Sequence, residues 1–124
     1  MIFWIVMAVI FAAFVFVSYR SAKIFGEKRQ VMLYNEDNMF RVQNIVNQIA
    51  SCETFDEVTE LRGKGFDVAD AMYEDIKVLC PSDPLYTLGV KQGYIQMILQ
   101  AANLKFMQLQ RFDELKSLYS QELK

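Results

Sequence analysis

Residues 1–17, MIFWIVMAVIFAAFVFV, are apolar without interruption. The run has no helical or strand period because every face would be apolar, and as a helix it reaches about 26 Å, close to the hydrocarbon thickness of a bilayer. Ser18 and Tyr19 lengthen it slightly. Trp4 and Tyr19 stand near its two ends, where amphipathic rings favour headgroup depth. The pattern predicts a transmembrane helix over 1–19. A cleaved signal peptide calls for a basic segment before the apolar run and a small-x-small site after it, and neither is present in good form. The alternative is a helix buried by protein on all sides, as in a virion or a large complex.

Past residue 20 the pattern becomes amphipathic. Ile24, Phe25, Val31, Met32 and Leu33 extend the first helix to about Tyr34. Asn35-Glu36-Asp37-Asn38 reads as a break or a cap, so residues 20–38 form a basic juxtamembrane extension and break. The rest, 39–124, forms a helical bundle domain. Met39, Val42, Ile45, Val46 and Ile49 restore a stripe that ends near Ser51 and Cys52. Thr54 and Glu57 are spaced as a capping box, a strong helix start. Val58, Leu61, Gly65, Val68, Met72, Ile76 and Leu79 follow at intervals of three and four, in phase through Gly63 and Gly65, which predicts one helix. A loop at Gly63-Lys64-Gly65 is the alternative. Gly65 lies on the stripe itself, where a missing side chain lets another backbone come close.

Cys80-Pro81 stops that helix, and Asp83-Pro84 opens the next with an N-cap and a first-turn proline. Leu85, Leu88, Ile95, Leu99, Ala102, Phe106 and Leu109 define its main stripe. Tyr86, Val90, Tyr94, Met97, Ile98 and Leu104 put apolar area on other faces and are the candidate partner interface. Phe112, Leu115, Leu118 and Tyr119 continue past an expected break near Arg111. The expected fold class is all-α: a single N-terminal transmembrane helix, then a small antiparallel helical bundle or long helical hairpin.

Composition supports a folded chain: the 124 residues are 53% hydrophobic and 14% aromatic, beyond what a disordered tail carries. Charge is unevenly spread. Arg20, Lys23, Lys28 and Arg29 gather just after the apolar run, which with Trp4 and Tyr19 makes them the expected membrane-interface residues and places the distal domain on the cytoplasmic side. Those bases also suit anionic headgroups. From residue 30 onward 9 Lys/Arg face 14 Asp/Glu; this acidic balance repels phosphate and argues against nucleic acid.

The chain contains no histidine, which removes the commonest general base and transition-metal ligand. Phosphate-binding loops and nucleophile elbows are missing too. No catalytic, cofactor or metal residues and no small-molecule substrate are expected. Cys52 and Cys80 lack CxxC spacing and, at opposite ends of one helix, sit about 40 Å apart, too far for a disulfide. Buried, inert thiols are expected. Asp67, Asp70 and Glu74 share a helical face, with Glu57 and Glu60 toward its start, and read first as a solvated surface. Residues 49–57 (IASCETFDE) resemble the helix–turn–helix junctions of small phage proteins, a likeness carried mostly by capping chemistry that identifies no family.

The functional expectation is a non-catalytic, membrane-anchored interaction or scaffold protein, a small subunit of a larger assembly. Its partners would be membrane lipid and another protein or a second copy. A structural component of a virion-like particle is the alternative, and a phage lysis-type membrane protein comes third.

Overall fold

The computed structural model describes residues 1–122 and is helical nearly throughout. Its three helices are α1 (Ile2–Ala50), α2 (Phe55–Leu79) and α3 (Pro84–Glu122). The expected all-α class is observed, as are one long apolar N-terminal helix and a bundle of mutually packed helices.

α1 is a single helix of 49 residues, about 74 Å long. The break expected at Asn35-Glu36-Asp37-Asn38 is not there. No glycine or proline stands at these positions, so helix costs only a few tenths of a kcal/mol per residue; Glu36 and Asp37 are exposed to solvent, and neighbouring groups take up the two asparagines. Asn38 Nδ2 donates to the Tyr34 carbonyl (3.0 Å), the Tyr34 hydroxyl donates to Asp75 Oδ2 (2.6 Å), and the Tyr94 hydroxyl donates to Asn35 Oδ1. Residues read as a cap from their type are instead where α2 and α3 grip α1. The extension and the start of the bundle are therefore one continuous element.

The α1–α2 turn follows its capping signals. Thr54, in extended conformation, accepts from the Glu57 amide through Oγ1 (3.2 Å). The Glu57 carboxylate reaches back to the amide of Glu53 (3.0 Å), one residue before the N-cap. At the other turn Asp83 Oδ1 accepts from the Tyr86 amide (3.1 Å), and Pro84 is the first residue of α3.

α2 runs unbroken through Gly63-Lys64-Gly65. A Cβ at Gly65 would lie 2.9 Å from Ile98 Cδ1 and Cγ2 and 3.0 Å from Ile45 Cγ2. The glycine is the place where all three helices converge, so the close approach offsets its helix cost of about 1 kcal/mol. Around it the core collects Val31, Val42, Ile45 and Ile49 of α1, Val58, Ala69, Met72 and Ile76 of α2, and Tyr94, Ile98 and Ala102 of α3. Complete burial of side chains such as Ile49, Met72, Ile76 and Ile98 stabilises by about 1.5–3 kcal/mol each.

Pairings along the helices fix their directions. Glu27 meets Ser82, Tyr34 meets Asp75 and Ile45 meets Gly65, so α2 runs antiparallel to α1. Lys28 meets Tyr86, Asn35 meets Tyr94 and the Ala50 carbonyl accepts from Lys105 Nζ (2.9 Å), so α3 runs parallel to α1. The α2–α3 turn thus lies beside residues 27–28, toward the apolar half of α1. The α1–α2 turn lies beside Lys105 and Phe106, with α3 continuing beyond it. No break occurs near Arg111. Bare helix therefore leaves the bundle at both ends: the start of α1 at one, the end of α3 at the other.

Candidate membrane and partner surfaces

Residues 2–19 touch nothing else in the fold, and all of them are exposed. The segment is long and apolar enough to cross a membrane by length and composition, with no charged residue before Arg20. Trp4 is 75% and Tyr19 69% exposed, separated by about 22 Å along the axis, about 8 Å less than the hydrocarbon core of a typical bilayer.

The four bases that follow are not equivalent. Arg20, Lys23 and Arg29 are exposed. Lys28 is used internally: its Nζ lies 3.3 Å from Asp83 Oδ2 and 4.9 Å above the Tyr86 ring. It ties α1 to the start of α3, a role its charge alone did not reveal. Glu27, the one acid among these bases, accepts from the Ser82 amide (3.2 Å) and hydroxyl (3.0 Å).

The six candidate partner residues divide. Tyr94 and Ile98 are in the core and are not open to a partner. Tyr86, Val90 and Met97 are half-buried against that core, and Leu104 is exposed. The cause is the true inward face of α3, which runs through Thr87, Tyr94, Ile98 and Ala102. Leu85 and Leu88, assigned by spacing to the main stripe, are exposed. Ala102 of that stripe is buried and Ile95, Phe106 and Leu109 pack against the core, so periodicity placed the stripe beside the packed face, whose centre the position of α2 sets.

Met97 and Leu104 come together with Val46, Ala50 and Ala101 along an apolar groove of about 370 Å³ between α1 and α3. The groove leads onto the free end of α3, where Phe112, Leu115, Leu118 and Tyr119 are exposed. Phe112, Leu115 and Tyr119 share one face at spacings of three and four. This stripe was missing from the candidate interface. Its signal was an amphipathic pattern persisting beyond the last residue that either preceding helix is long enough to cover.

Both thiols are buried at opposite ends of α2. Burial pushes both above their ordinary range, and the Glu57 charge adds to this at Cys52. Cys52 Sγ donates to the Gln48 carbonyl (3.3 Å). Burial, followed by the bond to Asp75, pushes the Tyr34 phenol up to about 12, and burial moves Tyr94 to about 12 as well. On the acidic face of α2, Asp70 pairs with Lys91 (3.0 Å) and Glu74 with Lys77 (3.0 Å). Among the described residues no three Cys, Asp or Glu side chains are grouped closely enough to hold a metal ion.

No protein-family model matches the chain, and no curated protein or solved structure matches it significantly.

Proposed function

We propose that this chain is a non-catalytic, membrane-anchored interaction or scaffold protein, a small subunit of a larger assembly. Residues 1–19 cross the bilayer, and the three-helix bundle stands on the cytoplasmic side. The groove between α1 and α3, with the free end of α3, receives a protein partner or a second copy.

One observation carries this reading. The first third of a continuous helix, residues 2–17, is apolar on every face and wholly uncovered by the rest of the chain, an arrangement that needs an apolar surrounding. Lipid is the surrounding that also accounts for the aromatic residues near both ends and for the bases after Tyr19. Protein enclosing the segment in a virion-like particle is the competing reading.

The test is fractionation of cells expressing the chain with a C-terminal tag. Retention in membranes through carbonate and high-salt washing is expected, with protease reaching the tag only in inverted vesicles. Release into the soluble fraction would overturn the anchor. Protection of the tag in inverted vesicles would overturn the cytoplasmic orientation.

A further inference from the structure

The α2–α3 turn is pinned to α1 only a short way from the apolar segment. Glu27 holds both the amide and the hydroxyl of Ser82, and Lys28 holds Asp83. From Tyr19 to Glu27 is about 12 Å along a straight helix. A headgroup layer extends about 5–8 Å beyond the hydrocarbon on each side. The turn also stands about 8–10 Å to one side of the α1 axis, the usual interhelical distance. A tilt of about 20°, ordinary for a spanning helix, lowers it by roughly 3 Å. Its backbone then sits at the outer edge of the headgroups, within one side-chain length of their interior.

The side chains flanking the turn suit that position. Val78, at the end of α2, is 80% exposed, and Leu85, at the start of α3, is 81% exposed. Pro81 and Pro84 are exposed between them. No packing within the chain explains two aliphatic residues this bare, one on each side of a tight turn. Charge at this end favours anions. Lys28 offsets Asp83, and the exposed Lys23 and Arg29 outnumber the one remaining acid, Glu27, whose carboxylate Ser82 holds, so the balance stays positive.

We propose that the α2–α3 turn is a second membrane contact. Val78 and Leu85 enter the headgroup layer of an anionic leaflet while Lys23 and Arg29 hold its phosphates, which fixes the tilt of the bundle on the bilayer. The proposal rests on the membrane-anchor reading, and the two are separable because Trp4 is the only tryptophan.

The experiment uses the full chain in phosphatidylcholine vesicles, with or without phosphatidylglycerol. Bromine is placed either deep in the acyl chains or close to the headgroup. Trp4 reports the anchor in the wild-type protein. In a Trp4→Phe background, Leu85→Trp or Val78→Trp reports the turn, and both sites are exposed enough to leave the core undisturbed. The expected result is quenching of Trp4 by bromine at both depths, more strongly by the shallow label as its place near the end of the span requires, and of the turn tryptophans by the shallow label alone. The second effect should fall at least twofold when phosphatidylglycerol is omitted or Lys23 and Arg29 are changed to glutamine. Quenching of Trp4 with turn tryptophans open to aqueous iodide and untouched by shallow bromine would overturn the second contact and leave the anchor standing. Turn quenching that ignores both anionic lipid and the glutamine changes would overturn the role of the two bases. Loss of Trp4 quenching would overturn both readings.

Discussion

Residues 2–19 and 110–122 both leave the bundle as bare helix, and both carry large exposed apolar side chains. They differ in how polarity is arranged around the axis. The first segment has no charged side chain on any face. The second sets Phe112, Leu115 and Tyr119 on one face, bordered by Lys116, with Arg111, Asp113 and Glu114 around the rest. Equal exposure therefore has opposite implications. A helix apolar all round fits a medium that surrounds it, whereas a one-sided stripe fits a partner lying along it.

The largest effect available is to make the first segment resemble the second. Arginine near the middle of a span costs about 2.5–3.5 kcal/mol per residue, against about 0.3–0.6 kcal/mol gained from each strongly apolar residue. Ile10→Arg together with Phe14→Arg offsets most of what residues 2–19 supply, so carbonate-resistant membrane retention should be lost. Undiminished retention of the double variant would break the comparison.

A smaller effect tests the bundle that keeps the two ends apart. Gly65→Val forces atoms against Ile98 and Ile45, and overpacking of this kind costs about 1–3 kcal/mol. A Cβ at Gly63 would meet nothing within 4 Å, so Gly63→Ala should gain up to about 1 kcal/mol from helix propensity. Thermal unfolding of the detergent-solubilised chain, followed by circular dichroism, should move in opposite directions for the two changes. Membrane retention should be unaltered in both.

The smallest effect on stability, and the sharpest for the comparison, belongs to the free end of α3. Phe112→Ser with Leu115→Ser removes exposed apolar surface, so the unfolding midpoint should correspond to a change within about 0.5 kcal/mol. Cross-linking to a protein partner or a second copy should fall severalfold. A stability loss above about 1 kcal/mol, beyond the usual range for surface changes, would mean that the stripe packs on the chain itself.

Local chemistry was the most legible part of the fold. Thr54, Asp83 and Pro84 act through atoms a few residues away, so their helix starts could be read directly, and the phase of α2 through Gly65 survived because a single helix carries it. What failed depended on distant partners. Asn35 and Asn38 look like a cap until Tyr94 and the helical backbone take their side chains. Leu85 looks like core until α2 is seen to lie along the opposite side of α3. The candidate surfaces divided in the same way: the apolar segment needed no fold to be seen, whereas Lys28, Tyr94 and Ile98 proved to be committed inside the molecule.

The continuity of α1 also makes the molecule a lever. No hinge separates the residues in the proposed span from those gripped by α2 and α3, so rotation or tilt at one end must appear at the other. From residue 20 to the tip of α3 the reach is about 70 Å, and a change of about 20° in tilt would swing that tip by roughly 24 Å. Angular control near the fulcrum would then decide which objects the far end can touch.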